Sequence, residues 1–279
     1  IASIEEALDD YTKLHELASQ YEAPFYEQLS LVNLAKYYMD KLELDKALSY
    51  IDKQQKICEE HNLIIGLQKN YKLRANLAIK QGDVKTATHN LEKAYEICEA
   101  LNMSDELQEY WGIKTALSRY MHDYKQALKD CSERQKICKQ YGYTNELISC
   151  YLDWVGILQE NKKNEKLSYV EITRLFTTAS EEALKINNVY RQQQVRLSYL
   201  KTLINLTELE VAKKELDVYL ETARNRNNTR EIALGMLLQM NIYRKNEQYK
   251  EALNACDEHY EYCLETNQRL SSFFSLKEK

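Results

Sequence analysis

The sequence predicts an all-α solenoid of stacked antiparallel helix hairpins, and three observations carry that expectation. Turn-forming residues are scarce: one Pro and six Gly in 279 residues, where average chains hold roughly 5% Pro and 7% Gly. Long helices joined by short connections follow. A segment recurs every 40 residues, and one position of that repeat admits only Ala or Cys.

The recurrence is read from Gln55-Lys56-Ile57-Cys58, Tyr95-Glu96-Ile97-Cys98 and Gln135-Lys136-Ile137-Cys138. Ten residues before each Ile stands Ala47, Ala87 or Ala127, and the same offset finds Ala7 upstream and Ala212 and Ala252 downstream. Between Ala127 and Ala212 lie two periods plus five residues. The polar stretch Asn161 to Lys166 is the expected place for those five, which puts Ile172 at the anchor of the fourth hairpin. Eleven residues after the anchors come Ala18, Cys58, Cys98, Cys138, Ala183, Ala223 and Cys263. A small side chain there lets neighbouring helices approach closely, and free Cys packs as a small hydrophobe. Four residues after the anchors lies a core column of Tyr11, Ile51, Leu91, Cys131, Phe176, Leu216 and Cys256.

In chain order, the helix from Ile4 to Gln20 is a second helix lacking its partner, a half repeat over 1–22. Hairpins follow over 24–62, 64–102, 104–142, 144–188, 189–227 and 229–266. The first runs Leu29-Val32-Ala35-Tyr38-Met39, turns near Leu42 to Asp45, and returns through Ala47, Ile51, Ile57 and Cys58. Its apolar spacing is helical on both arms. Residues 267–279, with Phe273 and Phe274, are expected to open a further helix or to continue a linking helix from Tyr249, and the truncated repeats suggest a piece of a longer protein. Because no hairpin buries its apolar face alone, the hairpins are expected to stack as one domain over 1–279.

The order small residue, Ala or Tyr, polar turn, Ala, bulky apolar, Ala is clearest in Ala75-Ala78-Gly82-Val84-Ala87-Leu91-Ala94. It resembles the tetratricopeptide repeat over nearly the whole chain, with a period six residues longer than the family's 34 and without its terminal Pro. The resemblance implies a right-handed superhelix that binds protein or extended peptide in a concave groove. It further suggests the sensory or regulatory segment of a larger signalling protein, such as a bacterial cyclase or histidine kinase; a free-standing scaffold and a small-peptide receptor are the alternatives.

Composition narrows the chemistry. Net charge is −5 with both signs interspersed, so no phosphate-binding face for nucleic acid is expected. No run is long and apolar enough for a membrane span. Seven cysteines without metal-site spacing point to reduced thiols in a cytoplasm, a periplasmic sensor being the other setting. The five His fall on different repeats, and no phosphate loop, GxSxG or HExxH occurs, so neither catalysis nor a cofactor is expected.

If the resemblance holds, groove-facing positions lie six and three residues before, and one, four and five after, the small residue of each first helix. They include Lys69, Lys72, Asn76 and Lys80 in the second hairpin, Arg119 and Tyr120 in the third, Lys201 and Asn205 in the fifth, and Asn241, Arg244 and Lys245 in the sixth. A mildly cationic channel suited to acidic peptides is expected. Lys72 and Asn76 match half of the family's carboxylate clamp, but Ile113, Ser149 and Asp153 stand where its other cationic and amide groups would. Homo-oligomerisation through the C-terminal helix is a further expectation.

Overall fold

The computed structural model describes residues 4–161 and 165–266, with side chains described over 8–161 and 169–266. Among the described residues there are thirteen α-helices and no strand. They are α1 (Ile4–Gln20), α2 (Pro24–Asp40), α3 (Leu44–Glu60), α4 (Ile64–Gln81), α5 (Val84–Ala100), α6 (Ser104–Tyr120), α7 (Tyr124–Tyr141), α8 (Thr144–Glu160), α9 (Glu165–Lys185), α10 (Val189–Asn205), α11 (Leu209–Asn225), α12 (Thr229–Lys245) and α13 (Tyr249–Glu265).

The 40-residue period resolves into two halves of 20, because each turn is closed the same way. Glu22, Leu42, Asn62, Gly82, Asn102, His122 and Gly142 all have φ between 48° and 80°, and Asn187, Thr207, Asn227 and Glu247 continue the series. The next residue's N–H then reaches back five positions to a carbonyl in the last helical turn, as from Leu63 to Cys58, Asp83 to Ala78 and Asn228 to Ala223. This closure satisfies carbonyls that a helix end leaves without partners. Helix starts are fixed by the single Pro, at the first position of α2, and by Asp83, Asp123, Asn188 and Asn228, whose side chains accept from backbone N–H groups three residues on.

The jump from Gly142 to Asn187 carries the five extra residues. Residues 162–164 of the expected polar insertion lie outside the described residues, but Glu165 begins α9, four positions before the repeat's usual start at Tyr169. Part of the insertion is therefore an added helical turn. At the other end α13 runs to Glu265 with Thr266 as its cap. Residues 267–279, and with them Phe273, Phe274 and the expected oligomerisation segment, lie outside the described residues.

The chain, expected as one domain, gathers into two compact units, Ile1–Ser168 and Tyr169–Lys279. In the first, α2, α4, α6 and α8 touch in sequence, whereas α3, α5 and α7 do not touch one another; α10 and α12 touch in the second, while α11 and α13 do not. The first helices of the hairpins are thus the close-packed row and line the concave face. The core is a string of small cores, three of which span three consecutive helices each. One joins Val32, Ala35 and Met39 to Ala47, Ile51, Leu73 and Leu77. The next joins Ala75, Ala78, Ala87 and Leu91 to Tyr110, Ile113 and Leu117. In the second unit, Leu200, Leu203, Ala212, Leu216, Tyr219 and Ile242 repeat the arrangement. The Ala/Cys column is buried from Ala18 to Cys263, none of its members more than 4% exposed. All seven cysteines are free thiols.

Candidate binding groove

The concave face of the first unit is built from positions on α2, α4 and α6 that flank the buried small residues Ala35, Ala75 and Thr115. They open a crevice of about 160 Å³ whose polar lining is Asn33 and Lys36 of α2, Lys69, Lys72 and Asn76 of α4, and Glu106 and Glu109 of α6. Leu29, Val32 and Leu73 form its apolar floor.

Most of the charge in this crevice is already paired, which reduces the expected cationic channel here to Lys36. Lys72 is only 3% exposed and donates to the carboxylates of both Glu106 and Glu109. Lys69 lies 3.7 Å from Glu106. Burial works against a charged Glu109, but the Lys72 ammonium outweighs it and the carboxyl titrates below its ordinary value. The two acids occupy the place a ligand carboxylate would take beside Lys72, so the half clamp of Lys72 and Asn76 is closed by the protein itself. Asn33 and Asn76 differ: both are half-buried and line the crevice without a hydrogen-bond partner among the described residues.

Farther along α6, Ile79, Ala116, Arg119, Tyr120 and Glu160 line a second, wider opening of about 620 Å³. Arg119 holds Glu160 through two bonds, of 2.5 and 3.2 Å. Beneath it, Arg134 comes from α7, a helix of the opposite row, and donates to Asp153 at 2.9 Å and to Gln108 at 3.1 Å. Gly112 makes that path possible, because a Cβ there would stand 3.1 Å from the guanidinium carbon. Gly156 leaves the same room for Arg119, at 3.0 Å. Burial raises the Asp153 carboxyl, with Arg134 and Arg119 pulling the other way.

Of the residues expected in the groove, Lys69, Lys72 and Asn76 share one crevice, and Arg119 and Tyr120 share the other. Lys80 is exposed at the end of α4. In the second unit Lys201 and Asn205 are exposed on α10; on α12 Asn241 accepts from Arg244 at 3.0 Å, and Lys245 is exposed. The crevice described in that unit, of about 270 Å³, lies instead among Phe176, Leu184, Gln192, Arg196, Tyr199 and Glu215. Sequence reasoning missed Asn33, Lys36 and Arg134. Lys36 was within reach, since the groove offsets applied to Ala35 give it, whereas Asn33 falls at none of them.

The buried thiols are packing groups. Cys58 accepts from Gln54 and Cys98 from Gln68, each at 3.1 Å. Burial pushes the Cys58 thiol up to about 11. The Cys138 thiol is raised by its contact with Cys150 and by burial. Among the described residues no three His, Cys, Asp or Glu are grouped to hold a metal ion, and no helix is long and apolar enough to cross a membrane.

No protein-family model matches the chain, and no curated protein matches it. Solved structures do. A signal transduction ATPase with numerous domains from Pyrococcus horikoshii, which carries a tetratricopeptide repeat sensor, aligns over 96% of this chain with a TM-score of 0.65 and 18% identity. The fold is that of the tetratricopeptide-repeat solenoids. A Rap protein complexed with competence and sporulation factor aligns over 99% of this tetratricopeptide-type chain and 84% of its own, with a TM-score of 0.61 and 12% identity. BtubC from P. vanneervenii aligns over 96% and 93%, with a TM-score of 0.58 and 12% identity. This solenoid spans 42% of the length of the Pyrococcus protein.

Proposed function

We propose that this solenoid is a non-catalytic binding module that takes an extended peptide or protein segment along the concave face of its first unit. The observation that carries the reading is the pair of half-buried, unpartnered amides, Asn33 and Asn76, beside Lys36 and Lys69. A primary amide both donates and accepts, which suits a peptide backbone. The matched charges of Lys72, Glu106, Glu109, Arg119 and Glu160 favour a segment of mixed charge over a strongly acidic one.

The setting we infer is the sensory or regulatory segment of a larger signalling protein in a reducing cytoplasm. The Pyrococcus likeness, in which a repeat sensor is part of a longer ATPase, and the seven free buried thiols support it. The likeness to a Rap protein complexed with competence and sporulation factor favours a second reading, a small-peptide receptor.

An array of extended peptides, followed by calorimetry on the hits, tests the binding site. Asn33→Ala and Asn76→Ala should each weaken a genuine groove ligand by roughly three- to tenfold, the worth of a neutral hydrogen bond. Hits indifferent to both substitutions sink the assignment. Small-angle scattering then separates the two settings, because a receptor that switches must change its dimensions on binding.

A further inference from the structure

The two edges of the first unit differ in chemistry. The edge formed by the loops between hairpins, α1–α2, α3–α4, α5–α6 and α7–α8, exposes Tyr21, Phe25, Tyr26, Ile64, Ile65 and Leu101, each 46% to 73% in solvent. Tyr141 extends the row, stacked on Tyr143 at 5.9 Å between ring centres. Equivalent loops recur every 40 residues, so these side chains line one edge. The opposite edge, made by the loops inside hairpins, exposes only Leu42, Tyr120 and Met121 among large apolar side chains of the described residues. Contiguous exposed apolar surface of this kind marks an interaction site.

Near its α7 end the apolar edge opens into a crevice of about 230 Å³ lined by Met103, Leu107, Ile137 and Tyr141, with Glu99 beside them. Its charge is mostly acidic as well. Glu22, Glu27, Glu59, Glu99 and Asp105 stand around the row; Lys56 and Lys136 are already paired with Glu60 and Glu133, and Lys139, in the last turn of α7, is the cation that stands against them. The loops of the opposite edge mix both signs, as in Asp83 with Lys85 and Asp123 with Lys125. First helices in contact lie roughly 8–10 Å apart, so three steps from α2 to α8 make an edge of roughly 24–30 Å, the length of a helix of roughly 16–20 residues.

We propose that this edge docks a basic amphipathic helix of a partner protein, with its apolar face on the Tyr21–Leu101 row, one large side chain in the Met103–Tyr141 crevice, and its Lys and Arg against the surrounding acids. The acids also set the edge against an anionic lipid surface. This contact is separate from the concave groove and stands without it.

The test titrates the full chain into a fluorescein-labelled helical peptide of about 20 residues, with Leu on one face and Lys on the other. Saturable one-to-one binding is expected, weakening as salt rises and absent when Glu replaces Lys in the peptide. Ile65→Ser with Tyr141→Ser, and separately Glu59→Lys with Glu99→Lys, should each weaken it roughly tenfold or more, with helical circular dichroism unchanged. Lys36→Ala in the groove should leave it alone. A photo-crosslinker on the apolar face should label the edge around Met103 and Tyr141. Binding that ignores the edge variants, crosslinks to the concave faces of α2 and α4, or Ile65-dependent binding to phosphatidylserine vesicles in place of the peptide overturns the proposal.

Discussion

Single residues set the spacing of this solenoid. Cys98 is 1% exposed and accepts a hydrogen bond from buried Gln68, so its column asks for a small side chain and tolerates sulfur. Cys98→Leu should cost about 1–3 kcal/mol by overpacking, seen as a lower urea midpoint, while Cys98→Ala should cost less. Cys58 adds a pH effect. Its folded thiol is raised from 9.0 to about 11, so the stability it contributes is present below the ordinary thiol value and lost as pH rises through about 11. Stability of the wild type should therefore fall more steeply between neutral and strongly alkaline pH than that of Cys58→Ala. The left-handed turn residues are a second case. Thr207, β-branched, sits at φ 61°, where glycine avoids about 1–2 kcal/mol of steric cost. Thr207→Gly should raise the melting temperature, whereas Gly82→Ala should lower it, both through backbone strain and because a Cβ would come 2.6 Å from the Tyr120 hydroxyl.

Between elements, polar contacts fix which helix meets which. Gln54 of α3 donates to Gln28 of α2 at 3.1 Å and to the Gly66 carbonyl of α4 at 2.9 Å, and Gln193 of α10 reaches the Tyr219 carbonyl of α11 at 3.1 Å. A buried network of the kind Gln54 makes specifies one register of packing, whereas Gln193 Oε1 has no partner among the described residues. The pairing of Lys72 with Glu106 is the strongest case, since both side chains are nearly enclosed, at 4% and 11% exposure. Lys72→Met should destabilise by about 3–5 kcal/mol by stranding a buried carboxylate, and adding Glu106→Leu should recover most of that loss. A double-mutant cycle in urea measures it, and a double variant no better than the single would show the pair is not the cause. The helices bearing these residues were legible in the sequence; their pairing was not. Glu106 lies 34 residues from Lys72, and nothing in a 40-residue period says which acid of the next hairpin comes opposite.

At the scale of the molecule, each small core touches only its neighbours, so stability accumulates hairpin by hairpin. Two compact units, divided at residues 168 and 169, should open with separate free energies. Hydrogen exchange should find the amides of α4–α7 protected to a different limit from those of α10–α12; a single common limit would mean one cooperative unit instead. The five-residue offset of the repeat falls beside this division, although the repeat led to the expectation of a single domain.

By itself the sequence determined the repeat, and through it the helix boundaries, the turns and the buried columns, because these depend on spacing along one chain. The expected first helix, Ile4 to Gln20, is the observed α1. Only the tertiary structure decided that Lys72 faces two acids, that Arg134 crosses from the far row past Gly112 to Asp153, and that Asn33 and Asn76 are left without partners among the described residues. Those outcomes depend on how far one hairpin is rotated against the next, an angle set by the whole packed surface and written at no single position.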